Sequence, residues 1–154
     1  MEISKTTLID APASLVFKIL FDVDLATVWV PNLTHYEVIS KSENMVGSTY
    51  RSRFDFNGLK FEQVSEIKKY VENHSAEWLT TSKFCDGTVK YYLTAISDAR
   101  TELKHISQCQ YKGLTKIWIW LVKSKTKKAS EDYIKETHEN FKTLVEAEYS
   151  SEKV

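Results

Sequence analysis

The side chains able to do acid–base or metal chemistry are few and scattered in this sequence. Histidines stand at positions 35, 74, 105 and 138. None falls at H-x-x-x-H or H-E-x-x-H spacing, so no metal site is expected. His138 falls on the apolar face of a helix, and His105 on a strand that this helix would cover, so the two rings can meet. The plain reading of each is a core histidine with its hydrogen bonds satisfied, and a hydrogen bond to a ligand comes next. A general base needs a group that orients its ring, and no carboxylate stands at a spacing to do so. No serine lies in G-x-S-x-G, which removes the nucleophile elbow. Cys85 precedes Asp86-Gly87, read as a hairpin tip, where a thiol with only Lys83 as a basic neighbour is a poor nucleophile. Cys85 and Cys109 form no C-x-x-C pair and are expected to be reduced. Asp22 and Asp24 read as a loop rather than a paired acid and base, and the four glycines build no phosphate cradle. No catalytic residue and no cofactor is assigned.

Strand alternation carries a different chemistry. Tyr50, Ser52, Phe54 and Phe56 alternate with Arg51, Arg53 and Asp55, the pattern of a half-buried strand. If the aromatic face points inward, the same face of the neighbouring strands offers Gln63, Trp78, Thr80, Tyr91, Leu93, His105 and Ser107. Helices add Trp29, Trp118, His138 and Phe141. An apolar, aromatic wall with a few hydroxyl, amide and imidazole groups is the composition of a small-molecule pocket. A solid core rarely holds so many polar groups, because each needs a buried partner. The alternative is that these groups pair with one another and the aromatics fill the core. A register shift of one residue would exchange the whole set.

The elements that must position these residues follow from periodicity and turn chemistry. Residues 2–9 read as a first strand. Asp10-Ala11-Pro12-Ala13 reads as a helix start with Asp10 as cap, and Leu15, Val16, Ile19 and Leu20 follow at helical spacing. A second short helix over 25–29 stops before Pro31. Strands are predicted over 36–40, 50–56, 59–70, 75–82, 88–96 and 101–112. Asn57-Gly58 is the strongest hairpin signal among the turns, with others at 44–47, 72–73, 86–87 and 97–100. Leu114, Ile117, Trp118, Leu121 and Val122 then recur at helical spacing, although Ile119 and Trp120 leave a strand reading of 116–122 open. Residues 123–128 read as a basic break. Ser130 reads as the cap of a last helix, with Ile134, His138, Phe141 and Val145 on one face, ending near Tyr149. Tight turns make the sheet antiparallel. About seven twisted strands tend to curl, and only the last helix is long enough to cover the hollow. The fold class is therefore α+β, with a curved seven-stranded antiparallel sheet wrapped around a long C-terminal helix and two short helices after strand one. Residues 1–150 form one domain, and 151–154 a frayed tail.

This order resembles the START-like, or SRPBCC, helix-grip superfamily over nearly the whole chain. The local matches are Ile9-Asp10-Ala11-Pro12-Ala13 with Val16-Phe17, Trp29 after the short helix, Val46-Gly47, Glu62, Thr101 and Leu144-Val145-Glu146. The resemblance implies a helix-grip fold and a cavity. It implies no single activity, because the superfold hosts lipid-transfer proteins, pollen-allergen proteins and polyketide cyclase/dehydrase-like proteins. The Trp-rich and then basic stretch 112–128 matches no defined subfamily.

The bulk properties agree. A chain of 154 residues suits one domain. Basic and acidic residues number 21 each, which argues against a nucleic-acid partner. Four Trp, eight Tyr and seven Phe with only four Gly and two Pro suggest long elements and few irregular loops. The start of the chain has no apolar leader and no run approaches the roughly 20 residues of a membrane span, so a cytoplasmic location is expected. The expected function is binding or transport of a hydrophobic or amphipathic small molecule, such as a lipid, isoprenoid or polyketide-like compound, by a monomer or homodimer. Two other classes stay open: a cyclase- or dehydratase-like enzyme, and a co-chaperone-like adaptor with no ligand. Trp120 with Lys123, Lys125, Lys127 and Lys128 forms an aromatic and basic cluster suited to weak membrane-surface contact. Its other reading is a solvated connection.

Overall fold

The computed structural model describes residues 1–153. The segments of period two form seven strands: β1 (Glu2–Ile9), β2 (Leu33–Ser40), β3 (Thr49–Phe56), β4 (Leu59–Val71), β5 (Ser75–Ser82), β6 (Cys85–Ser97) and β7 (Arg100–Tyr111). Four helices accompany them: α1 (Ala13–Leu20), α2 (Ala26–Trp29), α3 (Gly113–Leu121) and α4 (Lys123–Glu152). The strands make one antiparallel sheet in the order β1-β7-β6-β5-β4-β3-β2. This is the α+β architecture that the sequence predicts.

From β2 to β7 each strand pairs with the next one in sequence. β1 instead pairs with β7, from Glu2 opposite Gln108 to Ile9 opposite Thr101. β1 and β2 thus form the two edges, and the chain between them carries α1 and α2 across one face. Irregular register at 33–35, 38–40, 67–69 and 95–97 interrupts the ladders, and such bulges bend a sheet. α4 covers the same face. Its stripe of Thr137, His138, Phe141 and Val145 is buried, meeting Ile9, Val16, Ile67 and Leu103 in the core. Polar ties hold α4 there. Tyr133 donates its hydroxyl to Pro31 O (3.0 Å), Asn140 its amide to Trp29 O (3.3 Å), and Lys142 its ammonium to Leu8 O (2.7 Å). Buried Thr101 donates to Ala11 O (2.8 Å), fixing the turn between β1 and α1.

Several local expectations are corrected. Asp10 does not cap α1. Pro12 stands at the cap position, while Asp10 accepts from Arg100 Nε at 2.8 Å and its backbone N–H donates to Glu146. Asp86-Gly87 is not a turn. β6 begins at Cys85, and the reversal from β5 is made by Ser82, whose Oγ accepts from the N–H groups of Phe84 and Cys85. Gly87 is a strand residue because a Cβ there would stand 2.5 Å from Gln108 O, and close backbone approach is the other reason to use glycine. Asn57-Gly58, with φ of 53° and 96°, is the tight hairpin expected. Residues 123–128 are not a break, and Ser130 is not a cap. α4 runs unbroken from Lys123, with lysines whose helix propensity is good. It continues past Tyr149 to take in Ser151 and Glu152. Val154, the last residue of the expected tail, lies outside the described residues.

Candidate functional site

A cavity of about 300 Å³ lies between the concave face of the sheet, α2 and the middle of α4. β3 contributes Ser52 and Phe54, and β4 Gln63 and Ser65. Trp78 and Thr80 come from β5, and Cys85, Gly87, Val89 and Tyr91 from β6. His105, Ser107, Gln108 and Cys109 come from β7, Tyr36 and Leu33 from β2, and Tyr133, Ile134 and Thr137 from α4. Leu20, Ala26, Trp29 and Val30 close it from the helical side. No Asp, Glu, Lys or Arg is among these residues. The wall is apolar and aromatic, with uncharged polar groups set into it.

Nine of the residues expected to line a pocket do line this cavity: Trp29, Ser52, Phe54, Gln63, Trp78, Thr80, Tyr91, His105 and Ser107. Six do not. Tyr50 stays on the inward face but stacks on Tyr36 and faces a separate groove beside α1. Phe56 sits at the hairpin end, stacked with Phe54 and Phe61 and tilted against Tyr133. Leu93 is packed in the core. His138 and Phe141 lie one helical turn beyond the cavity, against its packed floor with Trp29 and Leu103. Trp118 is 63 % exposed, because the apolar stripe of α3 turns away from the protein. Leu20, Ala26, Val30, Leu33, Tyr36, Ser65 and Val89 also line the cavity without having been expected there, and two further groups were missed. Cys85 and Gly87 were hidden by the misplaced turn at Asp86-Gly87, whereas Cys109 continues the inward alternation of His105 and Ser107 on β7 and Gln108 stands between Ser107 and Cys109. Tyr133, Ile134 and Thr137 are a turn N-terminal to those expected, and a helix periodicity alone gives the face without its depth.

The cavity has one buried polar wire. His105 Nδ1 lies 3.0 Å from His138 Nε2, and His138 Nδ1 lies 2.8 Å from Thr7 Oγ1. The two imidazoles are nearly coplanar, and His105 also stacks on Tyr91 at 4.4 Å. Burial pushes His105 down to about 3, with repulsion from His138 second. His138 is lowered to about 4 by burial, then by Lys5. Both rings are therefore neutral near pH 7. In that state one ring donates and the other accepts, so the direction of the wire fixes whether His105 Nε2 is a donor or an acceptor. That atom is buried without a partner, as is Nε1 of Trp29. Asp86 Oδ1 lacks a well-aligned hydrogen bond but stands 2.6 Å from Lys112 Nζ, which supplies an ionic partner.

The tyrosines of the wall are neutral as well: burial raises Tyr36 and Tyr91 above the usual phenol range. Cys85 differs. A hydrogen bond with Cys109 is the main cause lowering its thiol to about 6, and Cys109 is raised in return. The two thiols are diagonal neighbours on β6 and β7, since Cys85 faces Tyr111 and Gly87 faces Cys109. Cys85 is thus a strand residue in the cavity wall with a thiol of lowered pKa, and not the turn cysteine that its neighbours in sequence suggested. No cluster of three or more His, Cys, Asp or Glu suited to a metal ion occurs among the described residues. No helix there is long and apolar enough to cross a membrane.

No family model matches the chain, and no curated protein does. Solved structures do. A protein from Thermus thermophilus matches with a TM-score of 0.81 at 13% identity, over 96% of this chain and 98% of that one. A START superfamily protein from Mycobacterium smegmatis matches with a TM-score of 0.71 at 14% identity, over 97% of each chain. An aromatase/cyclase from a Streptomyces species matches with a TM-score of 0.68 at 13% identity, over 94% of this chain and 95% of that one. With the element order, the sheet-and-helix hollow and these matches along the whole length, the chain has the START-like helix-grip fold.

Proposed function

We propose that this protein binds an uncharged, apolar or amphipathic small molecule in the cavity between the sheet and α4. The observation that carries this reading is the wall itself: about 300 Å³ lined without a single formally charged side chain, by residues that include Trp29 and His105, whose Nε1 and Nε2 are buried and unpartnered. An orphaned buried polar group costs about 1–3 kcal/mol, so a ligand oxygen that meets either one recovers that cost. The indole can only donate, so it selects an acceptor such as a hydroxyl or carbonyl oxygen. Apolar burial, at about 25 cal/mol per Å², supplies the remaining affinity. A carboxylate or ammonium group would enter a wall with no counter-charge and lose its hydration.

Proton-transfer chemistry of the cyclase or dehydratase kind is the second reading. The His105 wire and the aromatase/cyclase match favour it. Against it, a base held near pH 3 is a weak proton acceptor at neutral pH. The adaptor reading fits the cavity less well, because an adaptor has no need of orphaned nitrogens in an apolar hollow.

The test is competition for a fluorescent fatty alcohol by alcohols, ketones, carboxylates and amines of equal chain length. Alcohols or ketones should bind at least 10-fold more tightly than the charged homologues. His105→Phe should weaken the alcohol about 10-fold and leave a plain alkane unaffected. Equal binding of charged and neutral homologues, or no binding by any of them, would overturn the proposal. Turnover of a polyketide-like ketone that His105→Phe abolishes would establish the second reading instead.

A further inference from the structure

We propose that α3 and the first two turns of α4 form an arm that docks on an anionic lipid surface, with Trp118 and Trp120 entering the headgroup layer. Leu114, Ile117, Trp118 and Leu121 recur at the spacing of a core-facing stripe. All four are exposed, Leu114 at 83 % and Trp118 at 63 %, and Trp120 beside them is 75 % exposed. No residue of α3 is buried. An apolar stripe of this size left in water marks a surface that something else covers.

The charge pattern identifies what covers it. Between Gly113 and Ser130 stand five lysines, at 116, 123, 125, 127 and 128, and no acidic residue. All 21 acidic side chains lie elsewhere, against 16 basic ones. The molecule, neutral as a whole, is thus a cationic arm on an anionic body. Among the described residues, of the five lysines only Lys127 approaches a carboxylate, Glu131, at 3.9 Å. Two arms meeting in a symmetric dimer would set lysines against lysines. An anionic bilayer accepts both halves of the pattern, Trp and Leu at the acyl boundary and lysines among the headgroup charges.

The placement suits exchange of a cavity ligand. α3 follows β7 directly, and Lys112 at the junction binds back to the β5–β6 reversal through its N–H to Phe84 O (2.9 Å) and to β6 through its ammonium to Asp86. The arm therefore springs from the end of the cavity lined by Cys85, Gln108 and Cys109. This last point rests on the proposed ligand cavity, whereas the docking itself does not.

The test is co-sedimentation of the full chain with vesicles of phosphatidylcholine alone and of phosphatidylcholine with phosphatidylglycerol, read together with tryptophan fluorescence. Trp29 and Trp78 are 7 % and 8 % exposed, so an emission shift to shorter wavelength on binding reports Trp118 and Trp120. Binding should need phosphatidylglycerol and weaken steeply with salt. Replacing Lys123, Lys125, Lys127 and Lys128 together by Glu should lower partitioning by roughly 600-fold or more, at about a factor of five per lysine removed. Trp118→Ser with Trp120→Ser should abolish the shift, with the far-ultraviolet circular dichroism and melting temperature retained. Equal binding to both vesicles, or none to either, would overturn the proposal. So would a concentration-dependent dimer that the tryptophan double variant dissolves, because the stripe would then belong to a second copy. Vesicle binding without fatty-alcohol uptake would sink the cavity reading alone, and the reverse would sink the arm alone.

Discussion

His105 on β7 and His138 on α4 meet ring nitrogen to ring nitrogen at 3.0 Å, joining the wall of the cavity to the helix that covers it. Neither ring can take a proton without placing charge in a site that burial makes hostile to it.

Acid should therefore loosen this fold before the carboxylates titrate. An unfolded histidine has a pKa of about 6.5, and the folded values are about 3 and about 4. The unfolded chain binds more protons between these limits, so stability is full above about pH 6.5 and falls as pH drops toward the folded values. The slope approaches about 1.4 kcal/mol per pH unit for each histidine. Urea unfolding from pH 8 to pH 4 measures it. His105→Phe should flatten the decline, and an unchanged slope would refute the assignment.

Wall and floor should respond differently to substitution. Phe54 is half-buried and lines the cavity, whereas Phe141 is buried and packs edge-on against Trp29 at 4.7 Å. Phe54→Arg should remove ligand uptake with modest loss of stability. Phe141→Ala should cost about 3–5 kcal/mol. Thermal melts beside ligand titrations separate the two, and equal destabilisation by both would mean that Phe54 belongs to a solid core.

Cys85 should be the thiol that reacts. Its alkylation rate by iodoacetamide should rise with a midpoint near pH 6, the value set chiefly by its hydrogen bond with Cys109. Cys109→Ala should move that midpoint upward. Peptide mapping after partial labelling checks both statements, and preferential labelling of Cys109 would contradict them.

Gly87→Ala should destabilise by about 1–3 kcal/mol. The new methyl would stand 2.5 Å from Gln108 O and 3.1 Å from Thr80 Oγ1, and the first of these is backbone. Equilibrium unfolding measures the loss. Gly58→Ala is a useful contrast: its Cβ would meet nothing within 4 Å, and its cost would come from a φ of 96°.

The strands were the most legible part of the sequence, because alternation such as Tyr50, Ser52, Phe54 states both the element and its inward face. Asp86-Gly87 misled because it has the composition of a turn, while the working turn uses the Ser82 hydroxyl, a weaker signal. The α3 stripe misled for another reason. Apolar spacing says that a face is to be covered, and it is silent on whether the cover is the chain's own sheet or something outside it. Lys123 to Lys128 read as a break because charge density suggests solvent, yet solvated lysines extend a helix readily. The cavity was legible only where strands build it. How far along α4 the wall reaches is fixed by the ties of Tyr133 to Pro31 and Asn140 to Trp29, contacts across more than 100 residues.

The pairing of β1 with β7 also orders events in time. Glu2 lies opposite Gln108 and Ile9 opposite Thr101, so β1, made before the other strands, waits for the last of them before its ladder can close. Strands β2 to β7 assemble by neighbouring hairpins, with small loop entropies, and the sheet is then sealed in one late, long-range step. A nascent chain stalled before Arg100 keeps an unzipped first strand and, with it, an unfinished enclosure.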